Sequence, residues 1–191
     1  MPPRSDQASE RFYQVVWPHA PAVLRVARIL SGGDDAAADD LAQETLLRAF
    51  RGLDRYRDGT DAKAWLMTIL RNARVDAARA QAVRVATSLD AMDAEVAAPM
   101  AEERPEDWGT SPERALNAFS DAEVIRAMRR LPEEIRWTLL LVDVEGMDHA
   151  DAAKLLDVPP GTIKSRAFRG RQMLREALLP VARDRRLVRE E

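Results

Sequence analysis

The chain has 191 residues, a formal net charge of −3 and no cysteine, which excludes disulfides, thiolate metal sites and cysteine nucleophiles. This length allows one domain or two small ones. There is no apolar run of roughly 18 residues and the N-terminal MPPRSDQASE has no apolar core, so we expect a cytoplasmic protein without membrane insertion or a signal peptide.

Three helices are predicted in the first part of the chain. Ala, Leu, Arg and Glu are abundant, and apolar residues recur at spacings of three and four, which indicates an all-α fold. The first helix should run from about 10 to 30, with Pro18 and Pro21 kinking or interrupting it. The second should run from about 35 to 52, with Asp34 or Asp35 as N-cap, and the third from about 61 to 83.

The third helix has a basic face. Only one acid, Asp76, stands among the cations Lys63, Arg71, Arg74, Arg79 and Arg84. At about 100° per residue the apolar side should comprise Trp65, Ile69, Ala73 and Ala77. On the second helix the polar stripe formed by Asp40, Glu44, Arg48 and Arg51 fits helical spacing, and on its own it could simply support an exposed helix.

An acidic segment follows the third helix. Residues 1–85 carry 13 Lys and Arg against 11 Asp and Glu, residues 86–112 carry 1 against 7, and residues 113–191 carry 15 against 14. The middle segment also holds three prolines and lacks helical periodicity. We expect a flexible acidic linker at 86–112 between two small helical domains, 1–85 and 113–191.

The last part of the chain should contain helices at about 113–130, 132–143, 148–156 and 161–178. The final two are joined by a turn so short that they form a helix-turn-helix unit, whose second helix can enter a DNA major groove. Asp157 stands where the chain turns and tolerates the left-handed conformation. Thr162 is the expected N-cap of the last helix.

The last helix has an apolar side and a basic side. Ile163, Ala167, Leu174 and Leu178 fall together, whereas Lys164, Phe168, Arg171 and Arg175 line another face. A basic helical face alone is usually only solvated. The preceding helix and turn favour a DNA-binding role, because they supply the geometry for the groove. Phe168 fits either a DNA contact or packing on the neighbouring helix.

Three segments follow one another along the chain: DDLAQETLLRAFR (39–51), KAWLMTILRNARVDAAR (63–79) and LPEEIRWTLLLVDVEGMDHADAAKLLDVPPGTIKSRAFRGRQMLRE (131–176). In that order they resemble the conserved regions 2 and 4 of the extracytoplasmic-function (ECF) sigma factors of bacterial RNA polymerase. The resemblance implies a three- to four-helix bundle for region 2 and a helix-turn-helix for region 4. It covers most of the chain.

The resemblance also implies roles for particular residues. Core polymerase, through the β′ clamp helices, would contact Asp40, Gln43, Glu44, Leu47, Arg48 and Arg51. The −10 element would contact Tyr56, Arg57, Lys63, Trp65, Arg71, Asn72, Arg74 and Arg79, with Asn72 and the loop 56–62 capturing a flipped base. The −35 element would contact Thr162, Lys164, Ser165, Arg166, Phe168, Arg169, Arg171 and Arg175.

The partners implied are core RNA polymerase (β′ and β subunits), promoter DNA and an anti-sigma factor. The linker would thread through the polymerase cleft toward the RNA exit path. The sequence departs from the family's pattern in the alanines of DAARAQAVR, where consecutive arginines are common, in Asp157 for the usual Gly, and in Pro160. The first departure weakens the expected grip on the −10 region. No receiver domain is expected beside the match.

Three other functions are possible on the sequence alone. A sigma-mimic would bind an anti-sigma factor without reading promoters, which the basic face at 164–175 argues against. A helix-turn-helix repressor would leave the segment 39–79 unexplained. An enzyme is the weakest reading, because no nucleophile, base and orienting group share a recognisable spacing. His19 and His149 lack partners at metal-ligand spacing, so no metal or other cofactor is expected.

Overall fold

The computed structural model describes residues 4–86, here called the first half, and residues 121–185, the second half. All regular structure within these ranges is helical, which confirms the all-α prediction. The helices are α1 (Arg4–Val15), α2 (Ala20–Leu30), α3 (Asp35–Gly52), α4 (Ala62–Ala86), α5 (Asp121–Arg129), α6 (Glu133–Leu139), α7 (His149–Leu156) and α8 (Pro160–Asp184). The predicted linker beyond residue 86, the first residues of the predicted 113–130 helix and the tail 186–191 lie outside these ranges.

The breaks between helices in the first half follow from local sequence. A single 3-10 turn, Trp17–His19, contains Pro18 and separates α1 from α2, so the predicted interruption is confirmed. Gly32 and Gly33 end α2 with φ of 65° and 86°, a region open to glycine. The Asp34 carboxylate then caps α3 by accepting from the Ala37 N–H at 3.1 Å, as predicted.

The second half contains the predicted helix-turn-helix, with one boundary different. Asp157 adopts the left-handed conformation (φ 56°, ψ 50°), which confirms the expected turn. The predicted N-cap at Thr162 is wrong, because Pro159 is the N-cap and Pro160 already lies in the first turn of α8. Proline has no N–H to lose at that position, and its fixed φ suits the start of a helix. The Thr162 N–H donates to the Pro159 carbonyl oxygen at 2.9 Å.

The buried side of α4 differs from the predicted apolar side. Leu66, Met67 and Leu70 are fully buried, whereas Trp65 is only partly buried and Ala77 is exposed. This helix packs against both α2 and α3, so its buried surface is broader than a single stripe and is displaced toward Leu66 and Met67. The two halves also share one continuous cluster of buried apolar residues.

Helix α6 crosses α8 at Gly170, which is buried. A Cβ built on Gly170 would lie 2.7 Å from Ile135 Cγ2 and 2.9 Å from Leu139 Cδ1, closer than real contacts allow. The glycine therefore permits the close approach that positions α8 on the rest of the second half.

We expect Gly170→Ala to lower the free energy of unfolding by about 1–3 kcal/mol, because overpacking outweighs the gain in helix propensity. Gly161→Ala is the matched control on the same helix, since no atom lies within 4 Å of its added Cβ. Urea unfolding followed by circular dichroism measures both. Equal stability of the two variants would contradict the tight crossing.

Candidate nucleic-acid interface

A side-chain cap holds the N-terminal end of α7, the first helix of the helix-turn-helix. The Asp148 carboxylate accepts from the backbone N–H groups of Ala150 and Asp151, at 2.8 and 2.9 Å. These backbone hydrogen bonds, that of Asp151 first, lower the pKa of Asp148. On α8, Ile163 and Ala167 are buried. The opposite face of α8 is therefore presented outward.

The outward face of α8 carries the predicted −35 residues. Lys164, Ser165, Arg169, Arg171 and Arg175 are exposed, and Thr162, Arg166 and Phe168 are half-buried. Phe168 does not belong to the main buried cluster or to the apolar side chains packed against it. Five of the eight predicted residues are thus exposed on this one helix, and their role on the −35 element stays a prediction.

Two cations of this face are paired with acids of the same half. Arg171 donates from Nε and Nη2 to the two carboxylate oxygens of Asp143, at 3.0 and 2.6 Å. This pairing raises the pKa of Arg171 above its ordinary value. Arg166 donates to Glu134 at 2.5 Å. DNA would have to compete with these two carboxylates for the guanidinium groups of Arg166 and Arg171.

The predicted −10 residues lie on α4 and in the loop before it. Asn72, Arg57 and Arg79 are exposed, and Arg71 is half-buried. Arg74 is half-buried too, and its Nε atom, which lies 3.8 Å from Glu133 Oε1, is buried without a hydrogen-bond partner. Asn72 therefore presents its amide at the surface with cations near it along the helix.

Of the predicted −10 residues, Tyr56 is buried and Trp65 is partly buried. Tyr56 is buried, its ring centroid lies 5.1 Å from that of Trp65, and its hydroxyl donates to the Thr60 carbonyl oxygen. Arg11 also donates to the carbonyl oxygens of Leu53 and Tyr56, at 3.2 and 3.1 Å. These contacts fix the conformation of the loop 56–62 that precedes Asn72.

The predicted polymerase-binding stripe follows α3. Asp40, Gln43, Leu47 and Arg51 are exposed, whereas Glu44 and Arg48 are half-buried. Arg48 donates to Glu44 at 2.7 Å and to Asp76 of α4 at 2.6 Å. These contacts, that with Asp76 first, raise the pKa of Arg48. Arg48 thus ties α3 to α4 in addition to lining the stripe.

An apolar groove beside this stripe was missed by the sequence interpretation. It lies between α1 and α3 and is lined by Ser9, Phe12, Tyr13, Trp17, Gln43, Leu46, Leu47 and Phe50. Tyr13 is 61 % exposed and Trp17 is 54 % exposed, unusual values for aromatic side chains. Their spacing of four residues near the N-terminus could have revealed an aromatic stripe.

A second missed feature is Glu145, which is buried where the two halves meet. Its partner Arg25 is 120 residues away in sequence, so no local pattern indicates the pair. Over residues 4–86 and 121–185, no three His, Asp or Glu side chains cluster as a metal site would require. In the same ranges, none of the helices combines the length and apolarity needed to cross a bilayer.

Two family models match the chain, one in each half. Residues 16–84 match the Sigma-70 region 2 family, and residues 121–174 match the Sigma-70, region 4 family. The chain is 34% identical over 156 residues to the RNA polymerase sigma-H factor of Pseudomonas aeruginosa, covering 79% of this chain and 78% of that protein.

Two further relatives extend the comparison. The ECF RNA polymerase sigma factor SigE of Mycolicibacterium smegmatis is 34% identical over 172 residues, which are 86% of this chain but only 60% of that longer protein. A solved structure of the sigma factor RpoE in complex with the anti-sigma factor NepR from Bartonella quintana is 30% identical, with a TM-score of 0.68, and covers 87% of this chain and 96% of that one. The chain therefore belongs to the extracytoplasmic-function sigma factors, the subunits that direct bacterial RNA polymerase to promoters.

Proposed function

We propose that this sigma factor reads the −35 element with the outward face of α8, reads and melts the −10 element with α4 and the loop 56–62, and docks on core polymerase through α3. The observation that carries the proposal is the exposed cationic face of α8, opposite buried Ile163 and Ala167, on a helix-turn-helix. A helix presented in this way fits a major groove.

The same face separates this proposal from a sigma-mimic. A protein that only binds an anti-sigma factor has no need to present Lys164 and Ser165 to solvent beside Arg169, and all three are exposed here. Transcription from a promoter library, with purified core polymerase and with or without this protein, tests the proposal. Promoter-specific transcripts that require the protein support it, and their absence would favour the mimic.

Polymerase docking is the second part of the proposal. The exposed residues of the α3 stripe, Asp40, Gln43, Leu47 and Arg51, adjoin the apolar groove. An apolar centre with a charged rim is the composition of a protein-binding surface. We place the β′ clamp helices there, with further contacts to the β subunit, and we place the protein in the cytoplasm, where polymerase works. No catalytic activity of its own is proposed.

The domain limits also belong to the proposal. We assign 1–85 to polymerase binding and the −10 element, 86–112 to an acidic linker, and 113–191 to the −35 element. An anti-sigma factor is the proposed regulator, because the related RpoE is bound to the anti-sigma factor NepR. It would compete with core polymerase for the sigma factor.

We expect Arg169→Ala to weaken binding to a −35 duplex by about 1–3 kcal/mol and to relax sequence preference at one position, if Arg169 contacts a base edge. Arg183→Ala, at the distant end of α8, is the control, since Arg183 is exposed and outside the predicted face. Fluorescence anisotropy with a set of single-base duplex variants measures both. A uniform loss across all duplexes would show that Arg169 holds only phosphate.

A further inference from the structure

The boundary between the two halves contains a buried carboxylate. Glu145, which follows the π-helical turn Leu140–Val144, is 5 % exposed. From α2 of the first half, Arg25 donates to Glu145 Oε1 from Nε at 3.0 Å and from Nη2 at 2.8 Å. A carboxylate buried to this extent needs such partners, so the contact depends on both halves being in place.

Two of the proposed −10 residues, Lys63 and Arg74, also contact the second half at this boundary. The Lys63 ammonium donates to the Glu145 carbonyl oxygen and lies 4.0 Å from its carboxylate Oε2. Arg74 faces Glu133 of α6, with 3.8 Å between Nε and Oε1. Acidic side chains of the second half therefore stand beside Lys63 and Arg74, where a DNA phosphate would have to stand to be neutralised.

The two halves also pack closely at the end of α2. The turn that ends α2 lies against α5, and a Cβ built on Gly32 would be 3.0 Å from Arg129 Cδ. A Cβ on Gly33 would be 3.4 Å from Ile125 Cγ2. The Glu145 side chain is shielded from water at 2 % exposure, whereas that of Arg25 is 50 % exposed, so only the burial of the carboxylate limits the screening of this pair.

We infer that Glu145 and Glu133 form an intramolecular latch that occupies Lys63 and Arg74 and withholds them from DNA until the two halves separate. The inference rests on the proposed function in one respect, the role of Lys63 and Arg74 as −10 contacts. Because phosphates and these carboxylates compete for the same cations, any partner that binds only the separated halves would shift the population toward the DNA-binding state.

The latch can be tested by carbodiimide cross-linking of the full chain, in which the reagent activates a carboxyl group and a neighbouring lysine amine, having lost its proton, displaces the urea to form an amide. The sequence has only three lysines, Lys63, Lys154 and Lys164, so cross-linked peptides are easily assigned by mass spectrometry. We expect a Lys63 to Glu145 cross-link that falls at least five-fold in Arg25→Ala.

Arg28→Ala is the matched control for that experiment. Arg28 lies on the same helix but pairs with Asp35 of the first half, at 3.3 Å, so its removal leaves the boundary intact. The cross-link should keep its parental yield in this control. Absence of the cross-link in the parent, or an equal yield in Arg25→Ala and Arg28→Ala, would overturn the latch.

A second measurement tests the withholding of DNA. Glu145→Gln should bind a fluorescent oligo-dT strand several-fold more tightly than the parent at low salt, with the difference shrinking as salt rises. Asp39→Asn, on an exposed residue of α3, controls for the change in net charge. If the cross-link responds as expected but Glu145→Gln binds no better than Asp39→Asn, the withholding of DNA is overturned through the proposed −10 role of Lys63 and Arg74, and the contact between the halves stands.

Discussion

Leu47→Glu is expected to lower the affinity for core polymerase by about 2–4 kcal/mol, which is roughly 30-fold to 1,000-fold. Leu47 is 49 % exposed and lies in both the α3 stripe and the wall of the apolar groove. A carboxylate placed there would have to lose its hydration when a partner covers the groove. Co-purification with core polymerase and fluorescence titration of the holoenzyme measure the effect.

The structure guides the choice of this residue and of its control. Charge reversal at Arg48 would put a third acid beside Glu44 and Asp76, so a loss of binding there could simply reflect a disturbed contact between α3 and α4. Leu24→Glu is a better control, because Leu24 is 46 % exposed but on α2, outside the groove. Equal binding of Leu47→Glu and Leu24→Glu would refute docking at the groove.

Asn72→Ala is expected to reduce open-complex formation roughly 5-fold to 150-fold, which corresponds to about 1–3 kcal/mol for one captured base. The exposed amide can hydrogen-bond the edge of a flipped base, while the fixed loop 56–62 forms a rigid neighbour. Binding to closed duplex should hardly change, because −35 contacts are untouched. Permanganate footprinting beside a promoter-binding assay separates the two steps.

Gln81→Ala is the control for Asn72, since Gln81 is exposed on the same helix and outside the predicted set. It should melt promoter DNA as the parent does. If Asn72→Ala also melts DNA like the parent at saturating holoenzyme, the base-capture role is refuted, although the protein would remain a sigma factor.

Local signals in the sequence predict much of the fold. Pro18 stands in the break after α1, Asp34 caps α3, and Asp157 turns left-handed as expected, because each acts on backbone dihedrals within a few residues. Thr162 fails as a cap for an equally local reason, since two prolines before it already suit the start of a helix. The preference of the two prolines for the start of a helix outweighed that of Thr162 for the N-cap position.

Long-range packing is where prediction from the sequence fails. Helix α4 is rich in alanine, which fits a buried face and an exposed face equally well. Its periodicity therefore could not show that Leu66 and Met67 lie in the core. From its neighbours in the sequence, Glu145 would be expected to be an ordinary exposed acid near a glycine. Its burial depends on Arg25, and only the folded chain brings them together. The exposed positions on α8 could be predicted because they lie on a single helix, and their role on the −35 element stays a prediction.

The last turns of α8 bear on how the protein folds during synthesis. Leu178 and Ala182 are buried, and Arg185 donates to Glu123 of α5 at 2.8 Å across 62 residues of sequence. The first helix of the second half, α5, therefore packs against the last turns of α8. It can complete this packing only after α8 has left the ribosome. Helices α1 to α4 lie within residues 4–86, so they can pack against one another before α8 is synthesised. A nascent chain that ends shortly before residue 178 should accordingly carry a folded first half and a second half still sensitive to protease.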